Sequence, residues 1–269
     1  MHKARTNHVL NDRDIMILRW IAQHGVVSIE QVWRQHFRAT STAQDRLTSS
    51  VYRRVRILEE MGLVQRKQAR YRGPDVLLLT PRGATVADIG VPPARFVPTQ
   101  VEHALVVVDL IEQLVRENPG ATLVTERQIR AWQMRGRQAR ARTDDSASPA
   151  AHTQDAHAIP HLRRVPDALL ILVSGEVIAV ELDRTPKRSV DVVRIADAYA
   201  EHYRKTPLSA ADAQSGWEAI AAAGTFINRV WWYARAGRTA ARVRDTITTR
   251  GFARFVEVRD WEEAQWTTR

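Results

Sequence analysis

The chain has no cysteine among its 269 residues. Disulfides, thiolate metal ligands and cysteine nucleophiles are therefore excluded together. Lysine is scarce: Lys3, Lys67, Lys187 and Lys205 are the only four, against thirty-six arginines. A Gly-rich phosphate-cradling loop is missing, which argues against an ATPase. No apolar run approaches the roughly 20 residues that span a bilayer, and no signal peptide is visible. A soluble, cytoplasmic protein without membrane contact is expected.

What the chain does have is positive charge, +10 net, so a polyanionic partner is the first expectation. Its placement adds to that. From Arg46 to Arg72 there are eight basic and two acidic residues. The surrounding pattern predicts a helix from Asn11 to His24 with Asn11 as N-cap and Gly25 as stop. A second helix is capped by Ser28, and a third runs from Ser49 or Ser50 to Met61. Strands follow at Leu63–Lys67 and in VLLLT, which gives three helices and a hairpin, the winged-helix arrangement. Val51, Val55 and Leu58 share one arc of the third helix, while Tyr52, Arg53 and Arg56 point away from it. An outer face of this kind suits a major groove and its phosphates, and Arg66, Lys67, Arg70 and Arg72 supply a basic wing. Residues 1–90 are thus expected to form a winged helix-turn-helix that binds double-stranded DNA.

Gly90 to Gln100 carries three prolines and is expected to be a linker, with 91–100 at its centre. A helix, VEHALVVVDLIEQLVREN, then opens a second domain over 101–269. ATLVTERQI reads as a strand with Glu126 near its end. Beyond it come Arg127, Arg130, Arg135, Arg137, Arg140 and Arg142 without an intervening acid. Residues 135–158 are expected to form a flexible basic loop able to lie along nucleic acid. His152, His157 and His161 fall in polar sequence and are expected to be solvated.

Two apolar segments follow in RVPDALLILVSGEVIAVELDRTPK, and they carry carboxylates where a core strand should have none. Alternation puts Glu181 and Asp183 on one face with Val177 and Ala179, and Asp167 with Leu169 and Ile171. A turn at Ser174-Gly175-Glu176 places Asp167 opposite Asp183 with Glu181 on the diagonal; a two-residue turn would separate the faces. Three acids this close need a cation, and oxygen ligands suit Mg²⁺ or Mn²⁺. A helix from about Arg188 to Lys205 with Val192, Ile195, Ala196, Tyr199 and Tyr203 buried, a strand, a helix and a final strand complete an α+β or α/β domain with a mixed, helix-flanked sheet.

A Pro-Asp on one strand and Glu-x-x on the next resembles the PD-(D/E)xK restriction-endonuclease-like fold. More specifically, SSVYRRVRILEEMGLVQRK with LLLTPRG, followed by VPDALLILVSGEVIAVELDRT, resembles the replication-relaxation family of mobile-element proteins, related to plasmid mobilisation relaxases of the MobC type. The resemblance implies a metal held by Asp167 and Glu181 with Glu126 as an upstream acid, and a water activated for phosphodiester cleavage. Asp183 stands where that pattern has a lysine, and Lys187 is the nearest substitute cation. The His-apolar-His pair of the commonest relaxases does not occur. Two functions follow: a DNA-binding protein of plasmid replication, relaxation or mobilisation that nicks DNA with a divalent metal, or a non-catalytic winged-helix regulator whose nuclease-like domain serves assembly. A second copy of the chain or other relaxosome and replication proteins are the further partners implied.

Overall fold

The Asn11 side-chain oxygen accepts a hydrogen bond from the Asp14 N–H (3.0 Å), and the Asp14 carboxylate accepts one from the Asn11 N–H (2.8 Å), a reciprocal cap that starts helix α1, Asp12–His24. Ser28 and Gln31 repeat the device at the start of α2, Ile29–His36. The structure, a computed structural model, describes residues 8–38, 49–68, 73–144, 162–209 and 227–262, the side chains of 139–144 excepted. α3 spans Ser49–Glu60 and buries Val51, Val55 and Leu58, the arc expected from the sequence. Each such side chain contributes roughly 1.5–3 kcal/mol on burial.

Strands β1 (Val27–Ser28), β2 (Val64–Gln68) and β3 (Asp75–Leu79) form an antiparallel sheet in the order β1-β3-β2. Helix α4, Pro81–Ala87, was not anticipated. It has Thr80 as N-cap and a proline in its first turn, and it lies so close to the sheet that a Cβ on Gly83 would meet the Leu63 carbonyl oxygen at 1.9 Å.

The chain divides into two units, residues 1–109 and 110–269, with the division inside α5, Val101–Glu117. Residues 91–100, expected to be a linker, do not stand clear of the first unit. Ala94 and Phe96 pack with Val26, Val76, Leu78 and Val101, so their apolar surface is satisfied on the small sheet.

The second unit is built on five strands in the order β4-β5-β6-β7-β8. They are Thr122–Thr125, Ala168–Ile171, Val177–Asp183, Arg229–Arg235 and Val256–Trp261. β4, β5 and β6 pair antiparallel, whereas β6, β7 and β8 run parallel. The sheet is mixed, as expected. Helices α7 (Ser189–Ala200) and α8 (Arg238–Thr249) cover one face. Val192, Ile195, Ala196 and Tyr199 meet Leu169, Ile171, Val177 and Ala179 there. β6 is buried along its whole length on both faces, which accounts for its near-continuous apolar sequence.

Two expectations for this unit are corrected. Glu126 does not end a strand; it opens α6, Glu126–Asp144. Residues 135–144, expected within a loop, extend that same helix. The reason is a cap and a stripe. Thr125 N–H donates to Gln128 Oε1 (3.0 Å) while Thr125 Oγ1 accepts from the Gln128 N–H (3.4 Å), and Ile129 and Trp132 are buried at helical spacing.

Candidate functional site

The acidic hairpin folds with its carboxylates on the expected face but in a different register. Ile171 stands opposite Val177 and Ala168 opposite Val180. Leu172 N–H donates to the Glu176 carbonyl (2.9 Å), so the turn is Val173-Ser174-Gly175. Gly175 decides this. Its φ is +82°, and a Cβ there would come within 2.2 Å of the Leu208 carbonyl oxygen, so only glycine closes the loop at this point. The shift is by two residues, which preserves every face and moves Asp167 from Asp183 to the Val180–Glu181 peptide. Asp167 N–H donates to the Val180 carbonyl (3.0 Å), and its Oδ2 accepts from the Leu182 N–H (2.7 Å). On the other side the Glu126 N–H donates to the Asp167 carbonyl (3.1 Å). Glu126, Asp167 and Glu181 thus follow one another across the ends of β4, β5 and β6.

Their carboxylates do not converge on a common point. Glu181, 1% exposed, is gripped by Arg164, whose Nε donates to Oε1 (3.0 Å) and Nη2 to Oε2 (2.9 Å). The Tyr199 hydroxyl from α7 donates to the same Oε1. Burial pushes the Glu181 carboxyl above the usual carboxylate range and the Asp167 charge adds to that, while Arg164 and Tyr199 oppose it. Burial beside this carboxylate also raises the Tyr199 phenol well above its usual value, so it remains a donor. Asp183, equally buried, takes the Lys187 ammonium on Oδ1, and its Oδ2 has no hydrogen-bond partner among the described residues. Glu126 pairs instead with Arg130 one turn along α6 (2.6 Å).

A hard divalent cation needs several oxygens with free lone pairs directed at one position. Among the described residues no three acidic or histidine side chains cluster in that way. Both oxygens of Glu181 are already committed, and a guanidinium stands beside them. As arranged, Asp167, Glu181 and Glu126 do not fit Mg²⁺ or Mn²⁺.

The expected nucleic-acid surface contains exposed side chains and one held by acidic partners. On α3, Tyr52 and Arg53 are exposed, and Arg56 makes a long contact with Glu60 (3.5 Å) at 71% side-chain exposure. Lys67 is exposed on β2. Arg66 is not available in the same sense, because Glu59 (2.8 Å) and Asp75 (3.4 Å) hold it. Arg135 and Arg137 are exposed on α6. Arg70, Arg72, His152, His157, His161 and the Arg140 side chain lie outside the described residues.

Three arginines that sequence reasoning left aside organise these surfaces. Arg54 forks onto the fully buried Asp14, tying α3 to the cap of α1. Arg34, with Gln31, binds the buried Asp109. Arg164 neutralises Glu181. No spacing rule picks these three out of thirty-six, although Arg164 does lie three residues before Asp167.

Against known proteins, no curated protein and no solved structure matches the chain. A family model described as replication-relaxation does match, over residues 18–213. That span runs from α1 through α7 and contains both the α3 surface and the acidic hairpin. It covers well over half of the sequence, and the chain belongs to the replication-relaxation family.

Proposed function

We propose that this protein binds duplex DNA in the replication or relaxation of a mobile element, reading the duplex with α3 and the β2–β3 hairpin as a winged helix. The carrying observation is α3 itself. Its inner face is locked by Val51, Val55, Leu58 and the Arg54–Asp14 pair, while Tyr52, Arg53 and Arg56 remain outward. A rigid helix with an exposed Tyr-Arg-x-x-Arg face can enter a major groove at low entropic cost. The second unit carries Asp167 just before β5 and Glu181 on the adjoining β6, as the resemblance to a PD-(D/E)xK domain implies, but its Glu181 is closed by Arg164. This favours an accessory, non-cutting role over metal-dependent nicking.

One experiment with two readouts tests both parts. Duplex from the protein's own locus is titrated with wild type, Arg53→Ala and Arg56→Ala. Each substitution should weaken binding by roughly 1–3 kcal/mol where it reaches a base; unchanged affinity removes α3 from the interface. Supercoiled plasmid is then incubated with Mg²⁺ or Mn²⁺ beside Asp167→Ala and Glu181→Ala. Binding without relaxation in all three supports the accessory role, and relaxation lost in both variants overturns it.

A further inference from the structure

A cavity of about 490 Å³ opens in the second unit next to the acidic hairpin. Its polar lining is Arg163, Arg164, Lys187, Asp191 and Arg194, four cations to one acid. The acid is itself clamped, by Arg188 (3.0 Å) and Arg194 (3.3 Å). Ile195 and Ala198 of α7 provide an apolar wall. Glu181 and Asp183 are 1% and 2% exposed, so a visiting group does not meet their oxygens. It meets the N–H groups of the cations in front of them.

Those cations are held in place from behind. Glu181 takes Nε and Nη2 of Arg164, leaving the remaining guanidinium N–H groups unassigned by that pair. Asp183 takes one contact from the Lys187 ammonium, and Glu201 holds Arg163 (2.5 Å). Arg164 and Lys187 are thus each fixed by a carboxylate that the cavity does not reach, while Arg163 and Arg194 are paired at its rim with Glu201 and Asp191, an arrangement that presets two of the four donors of an anion site. Asp183 then has a role that a lysine at its position would lack: it draws Lys187, four residues on, to the mouth of the cavity.

We infer that this cavity is a metal-independent site for a phosphomonoester, offered by the 5′ end of a nucleic-acid strand or by a free mononucleotide. A terminal phosphate carries close to two charges and three acceptor oxygens, against one charge on an internal phosphodiester, and so matches several converging cations better. The volume exceeds that of a bare ion and falls in the range of small-ligand pockets, with the α7 wall available to a sugar or base.

The test uses the full chain in the presence of EDTA. A short single-stranded oligonucleotide with a 5′-phosphate is compared with its 5′-hydroxyl counterpart by fluorescence anisotropy. The phosphorylated strand should bind about tenfold tighter or more, the scale of one or two charge-assisted hydrogen bonds. The Arg163→Ala/Arg194→Ala double variant should lose most of that discrimination. Both arginines are surface-exposed, so an unchanged thermal midpoint confirms that the variant is folded. Competition by a deoxynucleoside monophosphate as strong as by the oligonucleotide identifies a free nucleotide as the source; weaker competition identifies a strand end, and either supports the site. Equal affinity for the two strands, or discrimination that survives in the double variant, overturns it. The Arg53→Ala and Arg56→Ala variants should keep the discrimination, so failure of this site and failure of the α3 interface are read separately.

Discussion

Glu181 is held in a fully dry strand because each of its oxygens is answered, and Arg164 is the decisive partner. Hydrogen bonding to Glu181 raises the Arg164 guanidinium above its ordinary value, so it stays charged throughout the useful pH range. Arg164→Ala leaves the carboxyl buried with only Tyr199. Loss of one partner of a buried pair is far more costly than loss of both. With the guanidinium 39% exposed the deficit should be roughly 2–4 kcal/mol in urea denaturation, below that of a fully dry pair. In a Glu181→Leu background the same substitution should cost little. The pH dependence fixes the cause. Without Arg164, Glu181 has a folded pKa further above its unfolded one, so its contribution is intact below the unfolded value and is lost as pH rises through the folded value. The deficit should therefore shrink in acid. A deficit independent of pH would assign the loss to packing instead. Strand alternation alone put Glu181 and Asp183 on one face, while placing Asp167 with them needed a turn of odd length, which the sequence left open. The register was not legible, because it rests on Gly175 meeting Leu208, a contact across more than thirty residues of chain.

At the level of elements, local signals carried most of what could be read. Asn11, Ser28 and the Val51–Val55–Leu58 arc gave the first three helices within a residue or two, since caps and stripes are short-range. The same kinds of signal were present for α4, as Thr80-Pro81, and for α6, as Thr125-x-x-Gln128 followed by Ile129 and Trp132. They were masked respectively by a glycine and by a run of arginines. That glycine provides the element-scale prediction. In an ordinary helix interior, Gly→Ala stabilises by about 1 kcal/mol. At Gly83 the added Cβ would lie 1.9 Å from the backbone oxygen of Leu63, which has no flexible end to move aside. Gly83→Ala should instead destabilise the first unit by roughly 1–3 kcal/mol, as overpacking does elsewhere. The sign of the change in urea midpoint is diagnostic, and a rise would mean that α4 does not approach the sheet so closely.

For the whole molecule, the net charge of +10 is what makes the proposed duplex binding testable by salt. Counterion release makes affinity for duplex fall with salt by about 0.9 log units per log unit for each phosphate neutralised. The two exposed basic faces should divide that dependence differently. Arg135 and Arg137 lie on a helix with no acid between Arg127 and Arg142, which suits sequence-blind phosphate contact. The Arg135→Ala/Arg137→Ala double variant should lower the slope by about two and weaken all duplexes alike. Arg53 and Arg56 share a helix face with Tyr52, and their removal should also flatten the preference for the cognate duplex. Measuring affinity against salt on cognate and scrambled duplexes separates the two. An unchanged slope in the α6 variant would leave α3 and its hairpin as the whole of the duplex interface, and an unchanged preference in the α3 variants would move sequence reading off that helix.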